Sequence, residues 1–117
     1  MSNTAIHCMV DIFVKPESVE KVRNILLTLI EPSLKEDGCL YYKLLENLND
    51  QYQFTFIETW TSQSAFDDHL QSEHVQNASF SVYEELTKPI DIKYYRTIQI
   101  ESNKIKLKST SRLCVLL

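Results

Sequence analysis

Segments with the apolar pattern of a strand alternate along this chain with segments that have the apolar spacing of a helix, and the order of these segments limits the folds that the chain can adopt. Segments of strand character, rich in β-branched and aromatic residues, lie at residues 6–14, 39–46, 52–60 and 90–100. Residues 19–30 and the segments after Ser62 and Ser72 place apolar side chains three and four positions apart, which is the period of a helix. The predicted order of elements is therefore β-α-β-β-α-β.

That order is typical of the ferredoxin-like split βαβ fold, so we expect an α+β domain with one antiparallel sheet and helices on one face. Pro16 suits the first position of the first helix. Pro32 is expected to kink or end its regular part, and Gly38 to terminate it. Ser62 and Ser72 are candidate N-caps. Gly38 is the only glycine in the sequence, which excludes a glycine-rich phosphate loop.

The 117 residues suit one domain, which we place at residues 1–100. Residues 101–117 form a C-terminal extension, expected to be strand-like and to contact a dimer partner. A net charge of −4 without a marked basic patch argues against nucleic acid as a partner. The apolar runs fall short of a membrane span, and the N-terminus lacks the pattern of a signal peptide, so we expect a cytoplasmic protein.

Residues 52–60 alternate clearly and predict a two-faced strand. One face carries Phe54, Phe56, Glu58 and Trp60, and the other carries Gln53, Thr55, Ile57 and Thr59. The aromatic face suits an apolar pocket, with Phe54, Phe56, Phe66 and Tyr42 as candidate substrate-binding residues. His69 or His74 can act as a base near neutral pH. Glu58 can orient a histidine, and Trp60 can stack on an aromatic substrate.

Structural roles remain open for the same residues. Trp60 and Tyr42 are more often core residues than site residues, and Glu58 is equally typical of a hydrogen bond to the backbone of the next helix. His74 also suits a helix cap or the surface. His69 and His74 lie five positions apart rather than four, so we expect neither a helical zinc pair nor a bound metal. The three cysteines lack the short spacing of a zinc site or a disulfide framework.

Several short motifs resemble the antibiotic biosynthesis monooxygenase (ABM) family. They are the run Glu36-Asp-Gly-Cys-Leu-Tyr-Tyr42, the strand end Glu58-Thr-Trp60, the segment His69-Leu-Gln-Ser-Glu-His74 and the strand end from Val14 to Glu17. The resemblance covers about residues 5 to 100. It implies a homodimer of the dimeric α/β barrel type, whose partner covers the bare face of the sheet around Tyr41, Leu45 and Ile57.

The resemblance also implies a reaction: oxidation of an electron-rich quinol or phenol by molecular oxygen, with no flavin, metal or haem as cofactor. Haem-degrading members carry Asn, Trp and His where Met9, His69 and Ser79 stand here. Polyketide-oxidising members carry Asn and Tyr where Phe56 and Phe66 stand. The primary hypothesis is a cofactor-independent monooxygenase acting on a small phenolic or quinol-like aromatic. The alternatives are an isomerase of a small phosphorylated metabolite and a non-catalytic dimeric binding module.

Overall fold

The computed structural model describes residues 4–100. Its strands are β1 (Ile6–Phe13), β2 (Cys39–Asn47), β3 (Asp50–Trp60) and β4 (Asp91–Tyr95). Its helices are α1 (Val19–Leu27), α2 (Ile30–Leu34), α3 (Gln63–Gln71) and α4 (Glu73–Val82), with short 3-10 turns at Pro16–Ser18 and Tyr83–Glu85. The predicted β-α-β-β-α-β order is confirmed, each helical part being a pair of consecutive helices. The predicted extension at 101–117 lies outside the described residues.

The four strands form one antiparallel sheet in the order β2-β3-β1-β4. Val10 on β1 pairs with Phe56 on β3 and with Ile92 on β4, so three apolar side chains cross the sheet in one row. Leu44 on β2 extends that row beyond Phe56. The fold is therefore the expected α+β, ferredoxin-like arrangement.

The core lies between the helices and one face of the sheet. Its large, fully enclosed side chains include Trp60, Phe54 and Phe66. Both later helices begin as predicted: the Ser62 hydroxyl accepts from the Ala65 N–H, and the Ser72 hydroxyl from the Val75 N–H. Ser72 has extended backbone angles (φ −65°, ψ 154°). The chain therefore turns between α3 and α4 instead of continuing as one helix.

One predicted boundary is wrong and a second is shifted by one turn, each for a local reason. The strand expected to run from 90 to 100 ends at Tyr95, which pairs with His7 close to the first residue of β1, so the chain beyond it passes the end of its partner strand. The first helix breaks at Thr28 and Leu29 rather than at Pro32. Proline has no N–H to donate to the Thr28 carbonyl, so the helix is interrupted one turn before it.

The second face of the sheet carries no helix within residues 4–100. Partly exposed apolar side chains on this open face include Met9, Tyr41, Leu45 and Ile57. Asp11, Thr55 and Lys93 form a polar cluster beside them, with Lys93 Nζ 2.9 Å from Asp11 Oδ2. Among the described residues, each helix is too short or too polar to cross a bilayer.

Candidate functional site

A cavity of about 180 Å³ lies between the helices and the sheet. Its wall is mostly aliphatic and aromatic, and it is lined by Val10, Ile12, Leu26, Leu29, Tyr42, Phe56, Glu58, Phe66, His69, Leu70, Val75, Ala78, Ser79, Val82, Ile90 and Ile92. Ser79 on α4 is exposed, so the cavity reaches the surface beside it. In the buried part of the wall, the titratable side chains of Glu58 and His69 face each other. An apolar chamber with a few polar groups at one place is typical of a small-molecule site.

Gly38 fixes the loop that brings Glu36 to this region. It has φ +87°, a conformation that residues with a Cβ rarely adopt. A Cβ placed there would lie 2.7 Å from Ala65 Cβ and 2.8 Å from Thr61 Oγ1. The Gly38 carbonyl also accepts from the Thr61 N–H at 2.8 Å. The loop before β2 is therefore packed tightly against the start of α3, which carries His69.

Glu36 joins the two histidines of this region. Its Oε2 lies 2.6 Å from His69 Nδ1 and 2.7 Å from His74 Nε2. A carboxylate oxygen accepts, so His69 donates from Nδ1 and keeps the lone pair on Nε2. That second nitrogen lies 3.8 Å from Glu58 Oε1, at the cavity wall. Glu36 therefore presents His69 to the cavity as an oriented base.

Glu58 is held by the tryptophan two residues further along β3. Trp60 Nε1 donates to Glu58 Oε1 at 2.9 Å, and both side chains are buried. The Trp60 ring also packs on His69, with 4.5 Å between ring centroids and 37° between planes. Tyr42 and Phe66 contact the same imidazole, with centroids 5.5 and 5.9 Å away. Three aromatic rings thus fix the position of His69.

Burial sets the protonation of the facing pair. Desolvation raises the pKa of Glu58 to about 7. The hydrogen bond from Trp60 lowers this pKa, and the negative charge of Glu36 raises it further, each by less than desolvation does. Desolvation lowers the pKa of His69, and the hydrogen bond to Glu36 offsets part of that change. At neutral pH the imidazole is therefore neutral while Glu58 is close to half-protonated. Desolvation, followed by the charge of Glu58, also raises the pKa of Tyr42.

The eight predicted site residues separate into two groups. Those that line the cavity are Tyr42, Phe56, Glu58, Phe66 and His69. The others lie outside its wall: Trp60 supports Glu58 from the core, Phe54 packs under the guanidinium of Arg23 at 5.2 Å, and His74 lies on the outer side of Glu36. Glu58 bonds a side chain rather than the backbone of the following helix. The role of orienting a histidine, expected of Glu58, falls to Glu36.

Sequence reasoning missed Glu36 and the aliphatic wall. Glu36 stands two residues before the only glycine, and this position within a recognised motif was the available signal. The spacing argument against a metal site does not apply to this pair. It used the spacing rule of a single helix, whereas His69 and His74 lie on consecutive helices, and the turn at Ser72 brings them to 6.0 Å between ring centroids. Ligand atoms of Glu36, His69 and His74 all lie within 4.8 Å of one another.

Comparisons with known proteins give the family. Residues 5–79 match the model of the family described as "Antibiotic biosynthesis monooxygenase". An uncharacterised Synechocystis protein, sll1783, is 32% identical over 92 residues, which are 79% of this chain and 63% of that protein. The chain thus spans less than two thirds of that relative's length.

Two further relatives cover more of their own length. The Mycobacterium tuberculosis protein named "Putative monooxygenase Rv0793" is 33% identical over 78 residues, which are 67% of this chain and 76% of that protein. The crystal structure of a conserved protein from Methanosarcina mazei Go1 has a TM-score of 0.77 at 32% identity, covering 82% of this chain and 95% of that one. The match to the family model and these identities lead to one conclusion: this chain belongs to the antibiotic biosynthesis monooxygenase family.

Proposed function

We propose that the protein is a cofactor-independent monooxygenase that oxidises a single-ring hydroquinone or phenol in the cavity between helices and sheet. The observation that carries the proposal is the position of His69. Glu36 holds its Nδ1 at 2.6 Å, its Nε2 lies 3.8 Å from Glu58 Oε1, and His69 and Glu58 both line an apolar cavity. Family membership and a relative named as a monooxygenase support the reaction class.

The size of the cavity limits the substrate. At about 180 Å³ it is slightly larger than an engineered protein cavity of roughly 150 Å³ that binds benzene. One aromatic ring with small substituents fills it, whereas a fused three-ring phenol exceeds it. The aliphatic side chains of α1, α4 and β4 would pack on the ring faces. Glu58 and His69 are then available for its hydroxyl groups.

The chain's own groups would act on a proton and exclude water. His69 Nε2 accepts the proton of the substrate hydroxyl, and Glu36 stabilises the imidazolium that forms. The phenolate left in the cavity is an electron-rich reductant for molecular oxygen. Glu58, close to half-protonated at neutral pH, can donate a hydrogen bond to a second oxygen on the ring. The apolar wall shields the reactive anion from bulk water.

The reaction balances without a second reductant. A hydroquinone and O₂ give a hydroxyquinone and water. One oxygen atom enters the ring and the other leaves as water, and the substrate supplies all four electrons. The protein needs to bind, deprotonate and shield the substrate, which matches the groups that line the cavity.

The charge of the wall argues against the phosphorylated-metabolite alternative. Among the described residues that line the cavity, none is Lys or Arg. A phosphate placed there would be desolvated beside Glu58 without a cationic partner, which is strongly unfavourable. The cavity also opens to the surface, which favours ligand entry over a purely structural module.

The test is oxygen consumption by the metal-free protein with hydroquinones of one, two and three fused rings, after subtraction of the rate without protein. We expect uptake with the one-ring substrates, a loss of about 100-fold or more in His69→Gln, and little change in His7→Gln. His7 is a suitable control because it bonds Thr59 and Thr97 rather than lining the cavity. Equal rates in wild type and His69→Gln would refute the proposal.

We also propose that the open face of the sheet packs on a second copy of the chain. Met9, Tyr41, Leu45 and Ile57 place partly exposed apolar area on that face, and a second identical face would bury it. The cavity lies on the opposite face, so each copy would carry its own site.

A further inference from the structure

We propose that Glu36, His69 and His74 form a binding site for Zn²⁺, at the outer edge of the cavity. The three residues come from three segments: the loop before β2, helix α3 and the first turn of helix α4. Their ligand atoms lie within 4.8 Å of one another, with Glu36 Oε2 between the two imidazole nitrogens. This inference is independent of the reaction proposed above.

The donor set suits zinc in kind and number. Two imidazole nitrogens and one carboxylate oxygen are the ligands of many three-ligand zinc sites, in which a fourth position stays open to water or a ligand. Nitrogen donors favour Zn²⁺ and its neighbours over Mg²⁺ and Ca²⁺, which prefer all-oxygen sites. The Glu36 carboxylate is the single negative charge among these ligands, so a bound divalent ion keeps a net positive charge. Its fourth position therefore attracts an anion.

Glu58 supplies the outer support that a ligating histidine requires. When His69 gives the lone pair of Nδ1 to a metal, its proton resides on Nε2, the nitrogen 3.8 Å from Glu58 Oε1. A carboxylate hydrogen-bonded to the second nitrogen is a usual partner of a metal-bound imidazole, and a shift of roughly 1 Å would bring the Nε2–H within hydrogen-bond distance of Glu58. Trp60 holds this carboxylate in place from the core at 2.9 Å. Glu58 would thus orient the ligating His69, and Trp60 would hold Glu58 in position.

The geometry allows an ion to enter with small movements. The side chains of Glu36 and His74 are 17% and 25% exposed, so the ion approaches from their side, while His69 is buried. Bonds of about 2.0–2.1 Å in a tetrahedral site set the ligand atoms about 3.3 Å apart. The present oxygen–nitrogen separations of 2.6 and 2.7 Å must therefore widen by well under 1 Å. The two nitrogens, which lie within 4.8 Å of each other, must settle at the same spacing. Rotation of the partly exposed Glu36 and His74 side chains provides this.

Zinc would change the state of His69. In the metal-free protein Nδ1 carries the proton and Nε2 is a free base; in the zinc form the two nitrogens exchange roles. If the proposed oxidation holds, Zn²⁺ therefore inhibits it, because the lone pair that faces the cavity is lost. Zinc binding itself requires no oxidation and is measured separately.

The test is calorimetric titration of Zn²⁺ into the full chain after metal removal, with Co²⁺ absorption as a second readout of the ligands. We expect one ion per chain and a Co²⁺ spectrum of nitrogen and oxygen ligands without thiolate bands. His74→Ala and Glu36→Gln should each weaken binding by more than about 100-fold, and Glu58→Gln by about 10–100-fold. His7→Ala is the matched control, being the remaining histidine of the chain, and should change affinity less than about twofold.

Two results would overturn the site. One is a failure of Zn²⁺ to bind the wild-type protein even at about 1 mM, a concentration at which weak sites are already half occupied. The other is wild-type affinity in His74→Ala, with the fold verified by circular dichroism. Because His74 is partly exposed, this variant tests the ligand without opening the core. If the protein binds Zn²⁺ but its metal-free form consumes no oxygen, the proposed oxidation is refuted and the zinc site is retained.

Discussion

Replacing Glu58 by Gln should stabilise the protein relative to wild type increasingly as the pH rises. Gln keeps the shape of Glu and an oxygen that accepts from Trp60 Nε1, but it cannot ionise. In the folded wild type, burial raises the pKa of Glu58 from its usual 4.5 to about 7. The groups that face it are His69, Glu36, Tyr42 and Cys8, which stay in place in the variant.

The sign follows from proton binding. Between the two pKa values the folded state holds a proton that the unfolded state has lost, so wild-type stability falls as the pH rises through this window and levels off above about 7. At about 1.4 kcal/mol per pKa unit, full ionisation costs wild type about 3 kcal/mol. Most of this cost, about 2–3 kcal/mol, arises between about pH 5 and about pH 8. The variant does not incur it.

Urea unfolding of wild type and Glu58→Gln at about pH 5 and about pH 8, with a chelator present, measures this difference. The gap in unfolding free energy between Glu58→Gln and wild type should widen by about 2–3 kcal/mol at the higher pH. That corresponds to a relative rise in melting temperature of about 10 °C. Gln71→Ala, an uncharged replacement at an exposed position on α3, should show a constant gap. A constant gap for Glu58→Gln as well would refute the assignment of a raised pKa to this carboxyl.

Three further predictions concern separate parts of the molecule. Gly38→Ala should lower the unfolding free energy by about 1–3 kcal/mol, because a residue with a Cβ is strained at φ +87° and its Cβ would lie 2.7 Å from Ala65 Cβ. A variant with the unfolding free energy of wild type would contradict this. Ile57→Lys should convert the proposed dimer to a monomer in sedimentation, and an unchanged mass would place the interface elsewhere. Ala78→Leu adds three carbons to the cavity wall and should abolish one-ring oxidation while the fold persists in circular dichroism; undiminished turnover would move the substrate site away from this cavity.

The fold and one wall of the site could be predicted from sequence because their information is local. The period of two along β3 places Phe56 and Glu58 on one face wherever the strand lies in the sheet. Residues 96–100 show the limit of that rule, because a strand also needs a partner alongside, and β1 begins at Ile6. Strand propensity alone does not record where the neighbouring strand ends.

Glu36 could not be predicted in the same way. It meets His69 and His74 across 33 and 38 residues, through a loop conformation that Gly38 permits and a turn at Ser72 that separates two helices. Helical spacing rules count positions on a single cylinder. They do not apply to two side chains on different helices that meet at a third residue.

Strand β3 also determines where this chain can change in length. Its even-numbered side chains from Phe54 to Trp60 point to the core and cavity, and its odd-numbered side chains point to the open face. One inserted or deleted residue within the strand would exchange the faces, turning the Glu58 carboxyl outward and Thr59 or Ile57 inward. The turn between β2 and β3 at Asn47–Asp50 is free of that constraint. Length differences among natural relatives, and engineered insertions that keep the site intact, should therefore occur in this turn and not in the strand that follows it.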